Sequence, residues 1–222
     1  FDYNYYINNY SFVYNSLYIL LIIISNDIFL QGLFGNKSRW FQLHTVINSI
    51  VVYKIFPDIY KLFTSFEYNL TNHETSYYIL FLHIYHLLLF KNLNKYDYFH
   101  HILFVGLGIV PCILFTESNQ CYLAYICCNG IPGIFEYTSL SLYKNNKIKL
   151  KTHKFFNAIN YNFFRFPLAI FSMSCNYFSY KHNFLNDNFF ITFYLNFLLF
   201  LNGTIFNYLT LNSYFEYKNK NI

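Results

Sequence analysis

Two adjacent histidines, His100 and His101, are the residues of this chain best suited to carry chemistry. Asp97 lies one helical turn before them, and an apolar run from Ile102 to Phe115 follows them. Imidazole can act as a general base or as a nucleophile near neutral pH. Ionisable side chains are costly at membrane depth, so they usually face a cavity or a partner. We therefore expect any chemistry that this chain performs to centre on this pair.

Other polar residues recur at helical spacing within the apolar runs. Residues three or four positions apart lie on one face of a helix, as His83 and His86 do. Polar stripes on several helices predict a shared interior pocket, whose expected lining residues are His44, Asn48, Asp58, His83, His86, Asn129, Glu136 and Arg165. The alternative is that these groups only join helices by hydrogen bonds.

The composition predicts an integral membrane protein. Of the 222 residues, 55% are hydrophobic and only 11% are charged, and apolar runs recur from one end of the chain to the other. Such runs are long enough to cross a bilayer as helices. The expected fold is therefore all-α, with seven spans at about 12–33, 40–63, 76–93, 99–115, 122–143, 163–180 and 189–211.

Charges in the loops indicate how these spans are oriented, because basic residues collect in cytosolic loops. The loops on one side hold only Lys181, whereas the other side holds Lys37, Arg39, Lys91, Lys95, Lys144, Lys147, Lys149, Lys151, Lys154, Lys218 and Lys220. This asymmetry predicts a lumenal N-terminus and a cytosolic C-terminus. The basic residues are scattered over short loops, which argues against nucleic-acid binding and leaves anionic lipid headgroups as their partners.

Prolines indicate bent helices. All four, Pro57, Pro111, Pro132 and Pro167, fall inside predicted spans. A proline removes a backbone hydrogen bond, which is tolerated at membrane depth where neighbours or a cavity satisfy the freed carbonyl. The run Gly130–Gly133 contains one of them and predicts a close approach of its backbone to another helix or to a ligand. Bent helices can enclose a cavity.

The five cysteines form neither a disulfide framework nor a zinc-binding spacing. Cys127, Cys128 and Cys175 lie inside predicted spans, where buried thiols are expected. Cys112 and Cys121 both approach the lumenal face, where they could pair.

Taken in order, these landmarks resemble those of the TLC family, the membrane proteins related to TRAM and to the ceramide synthases. The matching pieces are Ser38-Arg39-Trp40-Phe41-Gln42-Leu43-His44 with Asn48 and Pro57-Asp58, Leu82-His83-Ile84-Tyr85-His86, Asp97 with His100-His101, Asn129-Gly130-Ile131-Pro132-Gly133 with Glu136-Tyr137, and Asn160 with Arg165 and Pro167. The chain is more similar to the less characterised TLC proteins than to ceramide synthases, because Phe104 stands where the synthases have a threonine and their later acidic cluster is absent.

This resemblance implies six helices arranged as a barrel around a pocket, with one further helix outside it. The expected division is an N-terminal segment with the first span (1–38), the TLC domain (39–212) and a cytosolic tail (213–222). In ceramide synthases the paired histidines carry acyl transfer from acyl-CoA to a sphingoid amine. By that analogy His100 and His101 would be the reactive pair, and Asp97 would orient a ring and raise its basicity.

Three functions stay open at this point. The first is acyl-CoA-dependent N- or O-acyl transfer to a lipid, with no bound cofactor. The second is a non-enzymatic lipid-sensing, lipid-homeostasis or trafficking protein of the same fold. The third is a histidine-ligated metal oxidase, which is disfavoured because His73 and His182 are predicted to be lumenal and His153 cytosolic, so no metal is expected.

The expected partners are membrane lipids with a long acyl chain or a sphingoid base. A homodimer is an open alternative, and the expected location is the membrane of the endoplasmic reticulum.

Overall fold

The part of the chain that the structure describes consists of helices joined by short loops. The structure is a computed structural model and describes residues 3–65, 73–90, 93, 95–182 and 187–220, with side chains from Val13 onward. The helical class predicted from the composition is confirmed for these residues. Lys91, one of the basic loop residues, lies outside them.

Seven helical segments follow one another in the described ranges: α1 (Tyr3–Phe34), α2 (Arg39–Ser65), α3 (Glu74–Leu89), α4 (Lys95–Phe115), α5 (121–144), α6 (150–181) and α7 (Phe189–Lys220). By length and composition, three stretches can cross a membrane, namely Val13–Phe34 in α1, all of α4 and all of α7. The seven-span arrangement stays a prediction. Since α7 runs on to Lys220, the predicted tail is helical as far as that residue.

Three of the described helices change locally from α-helical to π-helical hydrogen bonding. The π segments are His101–Ile109 in α4, Tyr125–Gly130 in α5 and Asn160–Arg165 in α6. Each ends two residues before a proline. A proline ring offers no N–H and crowds the carbonyl four residues earlier, and the wider π turn accommodates both effects. Such turns inside α-helices are frequent at functional sites.

The main core lies where α1 and α3 pack against one face of α2. Leu43, Ile47, Val51 and Ile55 recur at four-residue spacing along α2 and are almost fully buried. They pack with buried apolar side chains of the two neighbouring helices, Ile19 and Ile23 of α1 and Tyr78, Ile79 and Leu82 of α3. Burying one such aliphatic side chain stabilises the fold by about 1.5–3 kcal/mol.

A buried ion pair, not predicted from the sequence, ties α1 to this core. Asp27 of α1 is fully buried, and Arg39 at the start of α2 donates two hydrogen bonds to its carboxylate, one from Nε to Oδ1 over 2.5 Å. The hydroxyl of Tyr85 on α3 donates to Oδ2 at 2.6 Å. Because a buried carboxylate needs such partners to remain charged, Asp27 fixes α1 against both α2 and α3.

Replacing Asp27 by asparagine should therefore lower the melting temperature of the detergent-solubilised protein. Breaking a buried ion pair costs about 3–5 kcal/mol, and we expect the lower end because 25% of the Arg39 side chain is exposed. The matched control is Asp58→Asn, which removes a carboxylate from a partly exposed position on α2. Equal melting temperatures for the two variants would contradict the anchoring role of Asp27.

Candidate functional site

A polar cavity lies at the end of the molecule where α2 and α4 begin and α5 ends. It encloses about 860 Å³ of empty space, including its mouth. All of the predicted site residues except Asp58 line it: His44, Asn48, His83, His86, Asp97, His100, His101, Asn129, Glu136 and Arg165. Polar residues from α2 to α6 thus meet in one place, which we call the histidine cavity.

Asp58 does not belong to this cavity, contrary to the sequence-based prediction. It lies ten residues beyond Asn48 on α2, which is about 15 Å along the helix axis at ~1.5 Å per residue. It does not line the cavity, and its side chain is partly exposed. Helical spacing indicates which residues share a face, but it does not show how far along the helix a cavity extends.

Five imidazole rings converge in the histidine cavity. The ring of His83 is central, with its centroid 5.2 Å from that of His44, 5.6 Å from His100 and 5.1 Å from His101. The ring of His86 lies 5.1 Å from that of His101. The adjacent pair sits where α4 changes from α-helical to π-helical hydrogen bonding. Rings from α2, α3 and α4 therefore form one contiguous cluster.

A hydrogen bond fixes the tautomer of one ring of this cluster, and three other rings each have a nitrogen without a partner among the described residues. Nδ1 of His83 lies 2.7 Å from the carbonyl oxygen of Ile79. That oxygen can only accept, so Nδ1 carries the proton and Nε2 keeps a lone pair. The Nδ1 atoms of His86, His100 and His101 are buried with no hydrogen-bond partner among the described residues. An unsatisfied buried polar atom costs about 1–3 kcal/mol, so a polar ligand in this cavity would gain by bonding to them.

The rings are not spaced as ligands of one metal ion. Nitrogens bound to zinc at about 2.0–2.1 Å lie within roughly 3–4 Å of one another. No three side chains of this cluster bring ligand atoms within 4.8 Å of one another, and among the described residues only His73, Cys112 and Cys121 do so. His73, His153 and His182 do not line the histidine cavity.

Two aromatic side chains that were not among the predicted pocket residues form walls of the cavity. Trp40 packs against His86 with centroids 3.4 Å apart, and it meets His44 edge-on at 3.8 Å. Tyr137 stacks on His44 at 4.2 Å. Trp40 lies one turn before His44 on α2, and this spacing is the signal in the sequence that identifies it. Both aromatic rings hold the His44 imidazole in a fixed orientation.

A network centred on Arg165 forms the inner wall of the cavity. The buried Arg165 of α6 donates to Oε2 of Glu136 at 3.2 Å and to Oδ1 of Asn202 at 3.0 Å. The hydroxyl of Tyr161 donates to the same Glu136 oxygen at 2.6 Å. These bonds join α5, α6 and α7 and neutralise the buried guanidinium. Tyr161 and Asn202 were not predicted, because neither stands out among the many Tyr and Asn residues of the chain.

Glycines of α5 allow α2 to approach the cavity closely. A Cβ atom at Gly130 would lie 2.7 Å from Cγ2 of Val52, and one at Gly133 would lie 2.7 Å from Nδ2 of Asn48. The close approach to another helix that these glycines predict is therefore observed. It brings Asn48 of α2 and Asn129 of α5 onto the same cavity.

A second, mainly apolar cavity adjoins the histidine cavity between α4, α5, α6 and α7. It encloses about 760 Å³ including its openings, and we call it the apolar cavity. His100, Cys128 and Asn129 line both cavities. From His100 the apolar cavity extends along α4 to Cys112, which is at most about 18 Å, because ~1.5 Å per residue is the rise of an α-helix and the π-helical turns between them rise less.

Comparison with known proteins gives no match: no family model, no curated protein and no solved structure is similar to this chain. The chemical capacity of the site follows from its own groups. Imidazoles can accept and donate protons near neutral pH, and one of them, His100, lines both the polar and the apolar cavity.

Replacing Gly130 by alanine should destabilise the protein and disturb the cavity. The new methyl group would collide with the stiff Val52 side chain and would lie 3.1 Å from the Tyr125 carbonyl oxygen. We expect a loss of about 1–3 kcal/mol, measured as a lower melting temperature. Gly32→Ala is the control, because nothing lies within 4 Å of its added Cβ. Equal effects of the two substitutions would contradict the close helix approach.

Proposed function

We propose that this chain is a TLC-type membrane protein that binds a long-chain lipid. The polar head would lie in the histidine cavity, and one acyl or sphingoid chain would lie in the apolar cavity. The observation that carries this proposal is that His100, Cys128 and Asn129 line both cavities. A ligand pocket is mostly apolar with a few convergent polar groups, and a lipid has the matching shape, one polar end and one long apolar end.

The length of the apolar cavity supports a single hydrocarbon chain as its occupant. The distance from His100 to Cys112 along α4, at most about 18 Å, is close to half of the ~30 Å hydrocarbon core of a bilayer. Half of that core is the thickness of one lipid leaflet, which one acyl chain fills.

The proposal includes seven spans, with α2 to α7 forming a barrel around both cavities and α1 outside it. The loop charges support a lumenal N-terminus and a cytosolic C-terminus. The histidine cavity lies near the helix ends that carry Arg39, Lys95 and Lys144, so its mouth would face the cytosol. Soluble acyl-CoA is available on that side, and an endoplasmic reticulum location is consistent with this arrangement.

Lipid mass spectrometry on gently purified protein tests the binding function. We expect a co-purifying long-chain lipid that is lost from Gly108→Leu, because Gly108 lines the apolar cavity and an added side chain would fill it toward Leu198. Gly106→Leu makes the same chemical change two residues away, outside the cavity lining, and should retain the lipid. Retention of the lipid by Gly108→Leu, or its absence from the wild-type protein, would contradict the proposal.

Acyl transfer is a second candidate function, supported by the imidazole nitrogens of the histidine cavity that have no hydrogen-bond partner among the described residues. An acyl-CoA whose chain occupied the apolar cavity would place its thioester carbonyl near His100. An imidazole of the pair would take a proton from an amine or hydroxyl acceptor as that group attacks the carbonyl. A C–N or C–O bond forms, the C–S bond breaks, and the proton passes to the leaving CoA thiolate. Asp97 lines the same cavity and would orient a ring.

His100→Ala and His101→Ala should each abolish product formation from acyl-CoA with a sphingoid or lysophospholipid acceptor. Loss of one buried polar group costs about 1–3 kcal/mol, so both variants should elute as single species in size-exclusion chromatography. The control is His182→Ala, at an exposed position outside the cavity, which should keep full activity. No product from the wild-type protein would leave lipid binding without catalysis as the function. Full activity in both variants would show that this histidine pair is not catalytic.

A further inference from the structure

Three metal-binding side chains meet at the end of α4 that lies away from the histidine cavity. His73 directly precedes α3, Cys112 lies in the last turns of α4, and Cys121 begins α5. Each offers one ligand atom, and the three atoms lie within 4.8 Å of one another. Both cysteines are buried and line the far part of the apolar cavity.

The ring of His73 is oriented as the ring of a metal ligand would be. Nε2 lies 2.8 Å from the carbonyl oxygen of Thr116, which can only accept, so Nε2 carries the proton and Nδ1 keeps a lone pair. Histidines that bind metals usually donate their other N–H in this way. The left-handed backbone at His73, with a φ of 55°, is uncommon outside glycine.

Hydrogen bonds that do not involve the thiols hold the two cysteines in place. The loop of residues 116–120 joins Cys112 to Cys121. Asp187, which precedes α7, accepts hydrogen bonds from the backbone N–H of Glu117 at 2.6 Å and from Nε2 of Gln120 at 2.6 Å. The ends of this loop are thereby fixed close together, with both thiols on the same side as His73.

We infer that His73, Cys112 and Cys121 bind one zinc ion, which joins α3, α4 and α5 at this end of the molecule. Thiolates and imidazoles are typical zinc ligands, and soft thiolates are poor ligands for magnesium or calcium. Two thiolates balance the charge of Zn²⁺, so the buried site is neutral, and binding releases two thiol protons. Three protein ligands leave the fourth tetrahedral position of a zinc ion to water or another small ligand.

This site departs from the expectation of a metal-free protein, because its ligands are far apart in sequence and form no short motif. A disulfide between Cys112 and Cys121 is the competing arrangement. A disulfide would require only the two thiols, and it gives no reason for a His73 ring nitrogen to lie within 4.8 Å of both sulfur atoms. Zinc uses all three side chains.

Zinc content measured by plasma mass spectrometry tests this inference. The full chain is purified without a polyhistidine tag or chelator from zinc-supplemented cells, and we expect one zinc per chain. Cys112→Ser and Cys121→Ser should lose the metal. Cys175→Ser removes a thiol outside the cluster, and His86→Ala removes a ring of the histidine cavity, so both should retain it. Wild-type protein loaded with cobalt should show the absorption band of thiolate-bound cobalt. This measurement does not depend on whether the substituted variants fold.

Three results would overturn the inference. The first is wild-type protein without zinc and without the cobalt absorption band. The second is a wild-type mass lower by two hydrogens, with peptides containing Cys112 and Cys121 joined until a reductant is added. The third is loss of zinc from His86→Ala, which would place the metal among the rings of the histidine cavity.

Discussion

A buried polar group needs a partner, and this requirement determines where the charges of this protein lie. Asp27 satisfies it with Arg39 and so holds α1 against the core. Arg165 satisfies it with Glu136 and its neighbours and so joins α5, α6 and α7. The histidine cavity lies beside the second of these networks, and three of its imidazole nitrogens have no partner within the described part of the chain. Because their surroundings are otherwise held in place, these nitrogens are available to a ligand.

The irregular helices place the reactive groups at the cavity. A π segment begins at His101, a second contains Asn129, and a third ends at Arg165. A π turn contains one extra residue and so shifts the side chains that follow it, and polar residues of all three helices line the histidine cavity. A proline follows each π segment and makes a return to ordinary α-helical bonding within the segment unfavourable. The three prolines thus help to set the shape of the cavity, because each one follows a π segment that contributes residues to it.

Much of the histidine cavity could be predicted from the sequence, because its polar residues recur at helical spacing in otherwise apolar runs. Asp58 shares that spacing but lies too far along α2 to reach the cavity. Asp27 could not be assigned a role, because its partner Arg39 lies beyond a turn and only the packing of α1 on α2 brings them together. The cluster of His73, Cys112 and Cys121 forms only where three helices meet, so no short sequence motif predicts it. Local periodicity therefore predicted which residues share one face of a helix. The position of the cavity along each helix, and the contacts between residues far apart in sequence, could be seen only in the folded structure.

Photo-crosslinking with an acyl lipid that carries a diazirine near its terminal methyl group tests most directly whether one lipid occupies both cavities. We expect its adducts to map to the far part of the apolar cavity, at residues such as Cys121 and Leu195. Adducts confined to outward-facing side chains such as Leu21 and Phe190 would show that the lipid contacts only the outer surface, and would contradict an intramembrane lipid pocket.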